Sequence, residues 1–254
     1  MKAWSIFAHS LGMVIRNIKE AVQIALVPAA IAFGVLLALG ATAGLSFSAF
    51  SDQAAMEQML VENSGSFAGG ILVFWLLIMV TMLWIVVSWH RFVLLEEYPS
   101  GWVPAFRFDR MLSYFGHGLL MLLVAFAIMV PIMLLIMTVS AVAPAVSIIV
   151  MVVAYLALLV AMYRLVPVLP AAAIGKPLKL TEAWNATAGA NGTIIALFLI
   201  MVAFQILIQL AAAVVLMIPV IGAIIVFAAM LILSLVSASV LTTFYGHYVE
   251  GRPI

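Results

Sequence analysis

The most restrictive feature of this sequence is the length of its stretches without a charged side chain. No Asp, Glu, Lys or Arg occurs between Ala183 and Val249, and none occurs between Met111 and Tyr163. The chain of 254 residues is 68% hydrophobic and only 7% charged, whereas a soluble domain carries about 25% charged residues. A soluble globule of this length cannot bury so much apolar surface. Lipid must therefore solvate much of the chain.

The charge-free stretches divide into six predicted membrane spans. Crossing a bilayer core of about 30 Å takes about 20 helical residues. The two longest stretches hold two spans each and break at Ser140–Pro144 and Ile218–Gly222, because proline lacks an amide donor and restrains the residue before it. We predict an all-α, polytopic membrane protein in one domain, 1–254, built as three helical hairpins. The predicted spans are 21–45, 69–89, 118–139, 144–168, 194–217 and 221–244.

The basic residues predict how the chain lies in the membrane, since lysine and arginine are retained on the cytoplasmic side. In the six-span arrangement every one of them falls on the same side: Lys2, Arg16, Lys19, Arg91, Arg107, Arg110, Arg164, Lys176, Lys179 and Arg252. The opposite loops contain Asp52, Glu57 and Glu62 but no basic residue. We therefore predict that both termini are cytoplasmic. The N-terminal stretch 1–20 lacks the pattern of a cleaved signal peptide, so we expect it to be retained.

Each predicted hairpin is preceded by an amphipathic segment. The apolar residues of each segment recur at the spacing of one helical face. They are Trp4, Phe7, Leu11, Val14 and Ile18 in the first segment, Phe108, Met111, Leu112 and Phe115 in the second, and Leu180, Ala183, Trp184 and Ala188 in the third. We interpret them as cytoplasmic interfacial helices in a threefold internal repeat. The alternative is that aromatic and basic residues mark any cytoplasmic entry to a membrane helix.

Four arginines on the predicted cytoplasmic side are candidates for binding a lipid headgroup or another phosphate. Arg91 and Arg164 end the second and fourth spans, and Arg107 and Arg110 lie between them. A guanidinium group suits bidentate contacts with phosphate. The alternative is that these arginines set the topology and form salt bridges with nearby carboxylates, namely Glu96, Glu97, Asp109 and Glu182.

Gln205 and Gln209 are the main polar pair within a span, and their i, i+4 spacing puts them on one helical face. They are candidates for lining a polar cavity or binding a headgroup. The alternative is a hydrogen bond between helices, which is the ordinary use of an amide in a membrane. The spans contain no Asp, Glu or Lys, which argues against a transporter coupled to protons or sodium ions. In the external loop, Ser51 could cap a short helix.

Several function classes receive no support from the sequence. The chain has no cysteine, which excludes disulfides, thiolate metal sites and cysteine catalysis. The four histidines, His9, His90, His117 and His247, form no metal-binding spacing, and no catalytic motif is present. No basic stripe or nucleic-acid motif occurs. We therefore predict no metal, no cofactor, no enzymatic activity and no nucleic-acid partner.

The region after the fourth predicted span resembles a known group of proteins. It reads Tyr163-Arg-Leu-Val-Pro-Val-Leu-Pro-Ala-Ala-Ala-Ile-Gly175, followed by Leu180-Thr-Glu-Ala-Trp-Asn-Ala-Thr-Ala-Gly189. This pattern is similar to the corresponding loop of YciC-like bacterial inner-membrane proteins and of the membrane domain attached to some glycerophosphodiester phosphodiesterases. The resemblance implies six helices and a bacterial inner membrane. The phosphodiesterase catalytic domain is absent, so no hydrolytic activity is implied.

The leading hypothesis is a non-enzymatic, multi-pass inner-membrane protein that binds or handles a lipid or another amphiphile. Its basis is a basic, aromatic rim on a bundle that is otherwise uncharged. A second hypothesis is an accessory or assembly subunit, with a membrane protein as partner. A third is a small-solute transporter, which requires a continuous polar cavity near Gln205 and Gln209.

Overall fold

The computed structural model describes residues 2–42, 64–99 and 101–254, and within these ranges the chain forms helices and no strand. The helices, labelled here in chain order, are α1 (Lys2–Arg16), α2 (Ile18–Thr42), α3 (Ser64–Leu95), α4 (Phe108–Val142), α5 (Pro144–Leu165), α6 (Val168–Ile174), α7 (Leu180–Ala186), α8 (Asn191–Val215) and α9 (Ile221–Tyr248). The helix predicted to be capped by Ser51 lies outside the described residues.

Within the described residues, six segments are long and apolar enough to cross a membrane. They are Ile18–Leu39, Gly69–Leu95, Phe108–Val142, Pro144–Ile174, Asn191–Val215 and Ile221–Tyr248. The predicted polytopic all-α fold is thus confirmed. The predicted breaks also occur, because α4 ends at Val142 and Pro144 begins α5, while α8 ends at Val215 and α9 begins at Ile221. Pro144 fits the first turn of α5, where its missing amide hydrogen would have no helical acceptor.

The helix α9 lies at the centre of the bundle and contacts α1, α2, α3, α6 and α8. The ends of the three hairpins meet beside it. Phe244 of α9 packs edge-on against Tyr163 of α5, with 5.3 Å between ring centroids. Trp89 of α3 is fully buried in the same cluster. The aromatic residues that end the second, fourth and sixth spans therefore form a shared core.

All ten lysines and arginines belong to one end of the bundle, which we call the basic end. It comprises α1, the start of α2, the C-terminal end of α3, the start of α4, the end of α5, α6, α7 and the tail after α9. Two arginines join these pieces. Arg91 Nη1 donates to the carbonyl oxygen of Ala173 at 3.1 Å, and Arg252 Nη2 donates to the carbonyl oxygen of Leu94 at 3.2 Å. Many apolar side chains nearer the opposite end are exposed on the bundle surface, for instance Val142, Met217 and Val220.

The first amphipathic segment forms a separate helix whose buried face only partly matches the predicted one, since Phe7 and Val14 are buried. Trp4 is 59% exposed. The buried residues are Ala3, Ile6, Phe7, Ser10 and Val14. This face packs against α8 and α9, and its small residues, Ala3 and Ser10, allow the helices to approach closely. Packing partners, which a helical periodicity does not specify, therefore select the buried face.

The other two amphipathic segments also differ in detail from the prediction. The second is continuous with the third span, since α4 extends unbroken from Phe108 to Val142. The third forms the short helix α7, which is separated from α8 by a turn. The predicted interfacial segments are therefore one packed helix, one extension of a span and one short helix.

Candidate functional site

A set of buried polar side chains, the polar seam, joins α1, α3 and α9. It consists of Ser10, Trp89, His90, Ser239, Thr242 and Thr243, all buried. Trp89 Nε1–H donates to Ser239 Oγ at 2.7 Å. Ser10 Oγ lies 3.0 Å from Thr243 Oγ1 and donates to the carbonyl oxygen of Ile6 at 2.7 Å. The serines and threonines of α9 thus serve as hydrogen-bond partners for two other helices.

The hydrogen bonds of Thr242 assign the tautomer of His90. Thr242 Oγ1 donates its single hydrogen to the carbonyl oxygen of Ala238 at 2.7 Å. It must therefore accept from His90 Nδ1–H, which lies 2.7 Å away. His90 Nε2 is then an unprotonated acceptor, and it has no hydrogen-bond partner in the described part of the chain. The ring stacks on Tyr114 with 5.7 Å between centroids, so this nitrogen is enclosed by protein.

Beside the polar seam, a cavity of about 320 Å³ opens at the basic end. Residues of α1, the end of α3, the end of α9 and the C-terminal tail form its walls. Its apolar side includes Met13, Phe92 and Leu94. Its polar side includes His9 and Arg16. We call this space the basic-end cavity. Glu96 and Tyr98 also line its polar side, so an apolar wall lies beside a polar wall that holds both charges.

Arg16 supplies the exposed positive charge of the basic-end cavity. Its guanidinium group lies back along α1 over Gly12, where a Cβ atom would be 3.4 Å from Arg16 Cζ. No carboxylate of the described residues lies within salt-bridge distance of it. Burial, and then the positive charge of Arg16, lower the pKa of His9 below its ordinary value. The cavity therefore holds an arginine that no carboxylate in the described part of the chain pairs with, beside a histidine whose lowered pKa disfavours protonation.

The other arginine of the cavity is already paired. Arg252 Nε lies 2.7 Å from Glu250 Oε2, and the same side chain donates to Leu94 as described above. Arg252 N also donates to the carbonyl oxygen of Gly246 at 2.8 Å. These contacts fold the tail back over the end of α9, so that it closes one side of the cavity.

Two of the four predicted arginines come together on one carboxylate. Arg91 donates through Nε to Glu97 Oε2 at 2.9 Å and through Nη2 to the same oxygen. Arg107 donates through Nε and Nη2 to Glu97 Oε1 at 3.1 and 3.0 Å. Burial raises the pKa of the Glu97 carboxyl, but the hydrogen bonds and charges of both arginines outweigh it and lower the pKa overall. A salt-bridge triad therefore occupies these guanidinium groups.

The other two predicted arginines, Arg110 and Arg164, contact the end of α6 and the helix α7, respectively. Arg110 pairs with Asp109 at 2.9 Å and covers Gly175, where a Cβ atom would be 2.5 Å from its Nη1 atom. Gly175 also has a φ of +79° and ends α6, so its left-handed conformation favours glycine. Arg164 stacks on Trp184, with Cζ 3.7 Å from the ring centroid, and its Nη2 donates to the Trp184 carbonyl oxygen at 2.6 Å. It thereby fastens α5 to α7.

Gln205 and Gln209 are both exposed on the surface of α8. Neither residue lines the basic-end cavity or the small cavity of about 20 Å³ next to Glu97. The structure therefore places this pair on the outside of the bundle, where it offers no support for a solute path through the protein. In the ranges 2–42, 64–99 and 101–254, no three His, Asp or Glu side chains form a group that could hold a metal ion.

The chain matches no protein-family model, no curated protein and no solved structure. The resemblance to YciC-like proteins therefore stays a prediction.

The sequence analysis missed the basic-end cavity, although one signal for it was present. His9, Met13 and Arg16 are spaced at i, i+4 and i+7 and so share a face of α1. The charge pattern alone does not single out that face, because arginines near the span ends are the more prominent feature of the sequence. The fold of the tail over α9, which completes the cavity, depends on contacts distant in sequence and has no local signal.

Proposed function

We propose that this integral membrane protein binds the headgroup of an anionic lipid or similar amphiphile in the basic-end cavity, without catalysing a reaction. The observation that carries the proposal is the cavity itself, in which Arg16 faces an apolar wall and forms no salt bridge with a carboxylate of the described residues. A phosphate on an amphiphile would supply the missing counter-ion. The proposal keeps the predicted ligand class but moves the site from the four predicted arginines to Arg16.

The size and chemistry of the cavity suit this ligand. Its volume of about 320 Å³ is near the lower end of the range for small-molecule sites, about 300–1,000 Å³, so it fits a headgroup rather than a whole lipid. An arginine contacts phosphate through a planar fork of donors. Met13 and Phe92 offer apolar contacts to the part of the amphiphile nearest the headgroup.

The predicted environment gives this site access to its ligand. We propose that the basic end faces the cytoplasm, because lysine and arginine accumulate on that side of membrane proteins. Together with the resemblance to YciC-like proteins, this favours a bacterial inner membrane. The cytoplasmic leaflet of such a membrane would bring anionic headgroups to the level of α1.

The proposal is tested by lipid binding to the purified full chain, measured by native mass spectrometry. The probes are phosphatidylglycerol and phosphatidylcholine with identical acyl chains. We expect preferential binding of phosphatidylglycerol, and we expect Arg16→Gln to weaken it about tenfold, since a hydrogen bond to a charged group contributes about 1.5–3 kcal/mol.

The matched control is Lys19→Gln, which removes the same charge from an exposed residue outside the cavity. Its affinity for phosphatidylglycerol should change less than twofold. Equal losses in the two variants would mean that general electrostatic attraction, and not the cavity, binds the lipid. Unchanged binding in Arg16→Gln, or a loss only when Arg91, Arg107 and Arg164 are replaced together, would also contradict this site.

A further inference from the structure

Gln205 and Gln209 lie deep within the span formed by α8. At about 1.5 Å per residue, Gln205 is about 17 Å from Ile194 and about 18 Å from Met217, which are the predicted ends of that span. Gln209 lies one helical turn closer to Met217. Around them the exposed surface is apolar, with Phe198, Val202 and Ile206 on the same side of the helix. The two amides therefore project from the bundle near the middle of the bilayer.

Neither glutamine has an internal partner to compensate for this position. A primary amide carries two donor hydrogens and an oxygen that accepts two hydrogen bonds. In the described part of the chain, no hydrogen bond involves either side chain. Hydrocarbon offers no hydrogen bonds, so leaving these groups there is unfavourable. A polar group from outside this chain is needed at that depth.

A second copy of the chain supplies such a group at the required depth. Two copies insert with the same topology, so a twofold axis along the membrane normal makes their α8 helices parallel and brings identical residues to one level. Glutamine is its own complement, because each amide both donates and accepts. Gln205 and Gln209 would then form two polar contacts about 6 Å apart along the interface. A lipid headgroup lies near the membrane surface and does not reach this level.

We propose that the face of α8 containing Val202, Gln205 and Gln209 is a homodimer interface in which the glutamines pair across the twofold axis. This inference is independent of the proposed lipid site, since it involves another surface and another partner. A dimer interface also explains why Gln205 and Gln209 occur within a span although neither residue lines a cavity.

The dimer is tested by reconstituting the full chain in liposomes over a range of protein densities. A single Lys176→Cys substitution at the exposed basic end provides a labelling site, because the chain has no cysteine. Photobleaching steps then count the copies in each complex. We expect the fraction with two steps to rise with density. The double variant Gln205→Leu, Gln209→Leu should weaken dimerisation at least fivefold, as expected for the loss of two interhelical hydrogen-bonded contacts.

The matched control is Thr138→Val, which removes another exposed polar group from a span. The hydroxyl of Thr138 already donates to the carbonyl oxygen of Leu135 at 2.8 Å, so it needs no outside partner. We expect this variant to dimerise like the parent chain. A parent chain that stays monomeric at every density, or a double variant that dimerises as strongly as the parent, would overturn the proposal.

Oxidative cross-linking tests the geometry without removing the glutamines. In otherwise cysteine-free chains, Val202→Cys should form a disulfide-linked dimer, because it lies close to Gln209 around the helix. Leu207→Cys is the control, since a displacement of two residues turns it about 200° from either glutamine. Equal cross-linking at the two positions would contradict the assigned face. Recovery of a different protein in fixed ratio, with no dimer, would assign the glutamines to a heteromeric partner and overturn the proposal.

Discussion

At the scale of single residues, the decisive feature of the basic end is which cations have carboxylate partners. Glu97 forms salt bridges with both Arg91 and Arg107, Asp109 pairs with Arg110, and Glu250 pairs with Arg252. Arg16 has no such partner among the described residues. A count of basic residues in the sequence does not distinguish these cases, because each pairing depends on a side-chain geometry set by the fold. The salt-bridge alternative thus describes Arg91 and Arg107 well.

The Glu97 triad should contribute to stability. The Arg91 side chain is only 13% exposed, so Glu97→Gln leaves a mostly buried guanidinium group without its counter-ion. We expect the free energy of unfolding to fall by about 1–3 kcal/mol, measured by thermal unfolding in detergent followed by tryptophan fluorescence. The control is Glu96→Gln, because Glu96 is exposed and forms no salt bridge with the described residues. Equal effects of the two substitutions would contradict the role of the triad.

The lowered pKa of Glu97 should also make the stability of the protein depend on pH. The pKa of Glu97 is lowered in the folded protein, so the folded state favours the ionised carboxylate. The stabilisation is therefore complete above the ordinary pKa of 4.5 and is lost as pH falls through the lowered value. We expect the difference in melting temperature between the parent chain and Glu97→Gln to shrink below pH 4.5. A difference that stayed constant across this range would show that Glu97 acts without its charge.

His9 provides a second test within the basic-end cavity. Burial is the larger cause of its lowered pKa and the charge of Arg16 is the smaller one. Arg16→Gln should therefore raise the pKa of His9 without restoring its ordinary value of 6.5. Selective histidine labelling and NMR titration would measure the shift, with Lys19→Gln as the control. An identical His9 titration in Arg16→Gln and the parent chain would show that the charge of Arg16 does not influence the pKa of His9.

At the scale of elements, the number of spans and the breaks between paired spans could be predicted from sequence, whereas the starting residue of α4 and the packing of α1 could not. Charge-free length and the prolines at Pro144 and Pro219 suffice to place the spans and their breaks, because lipid and backbone hydrogen bonding impose them locally. The buried face of α1 depends on contacts with α8 and α9, which are far away in sequence. Its periodicity identified an amphipathic helix but selected Trp4 and Ile18, which are exposed.

Two isoleucines of α1 form a matched test of its packing. Ile6 is completely buried, whereas Ile15 is 62% exposed. We expect Ile6→Ala to lower the free energy of unfolding by about 2–5 kcal/mol, because it leaves a cavity against the core. Ile15→Ala should have a much smaller effect. Similar losses in thermal unfolding experiments would indicate that α1 lies on the membrane surface instead of packing against α8 and α9.

At the scale of the whole molecule, the distribution of charge defines two ends with different properties. The basic end carries the core, the polar seam and the basic-end cavity, whereas the opposite turns present apolar residues such as Val142 and Val220. The six-span plan and this asymmetry could be read from sequence. The cavity could not, since it requires α1, α3, α9 and the tail to meet.

The proposed orientation can be tested with single cysteines, because the chain has none of its own. Val142→Cys lies at the turn between α4 and α5 and is 87% exposed, while Lys176→Cys marks the basic end. In intact cells, a membrane-impermeant thiol reagent should label the first variant and not the second. Labelling of Lys176→Cys under these conditions, with Val142→Cys protected, would reverse the proposed topology.

The central claim is that the basic-end cavity holds an anionic headgroup, and an experimental structure tests it most directly. The full chain would be extracted with its native lipids into nanodiscs and imaged with a bound antibody fragment. We expect headgroup density between α1, α3 and α9, with a phosphate within hydrogen-bonding distance of the Arg16 guanidinium group. A cavity filled by the protein's own side chains, or one without lipid density while annular lipids are resolved, would contradict it.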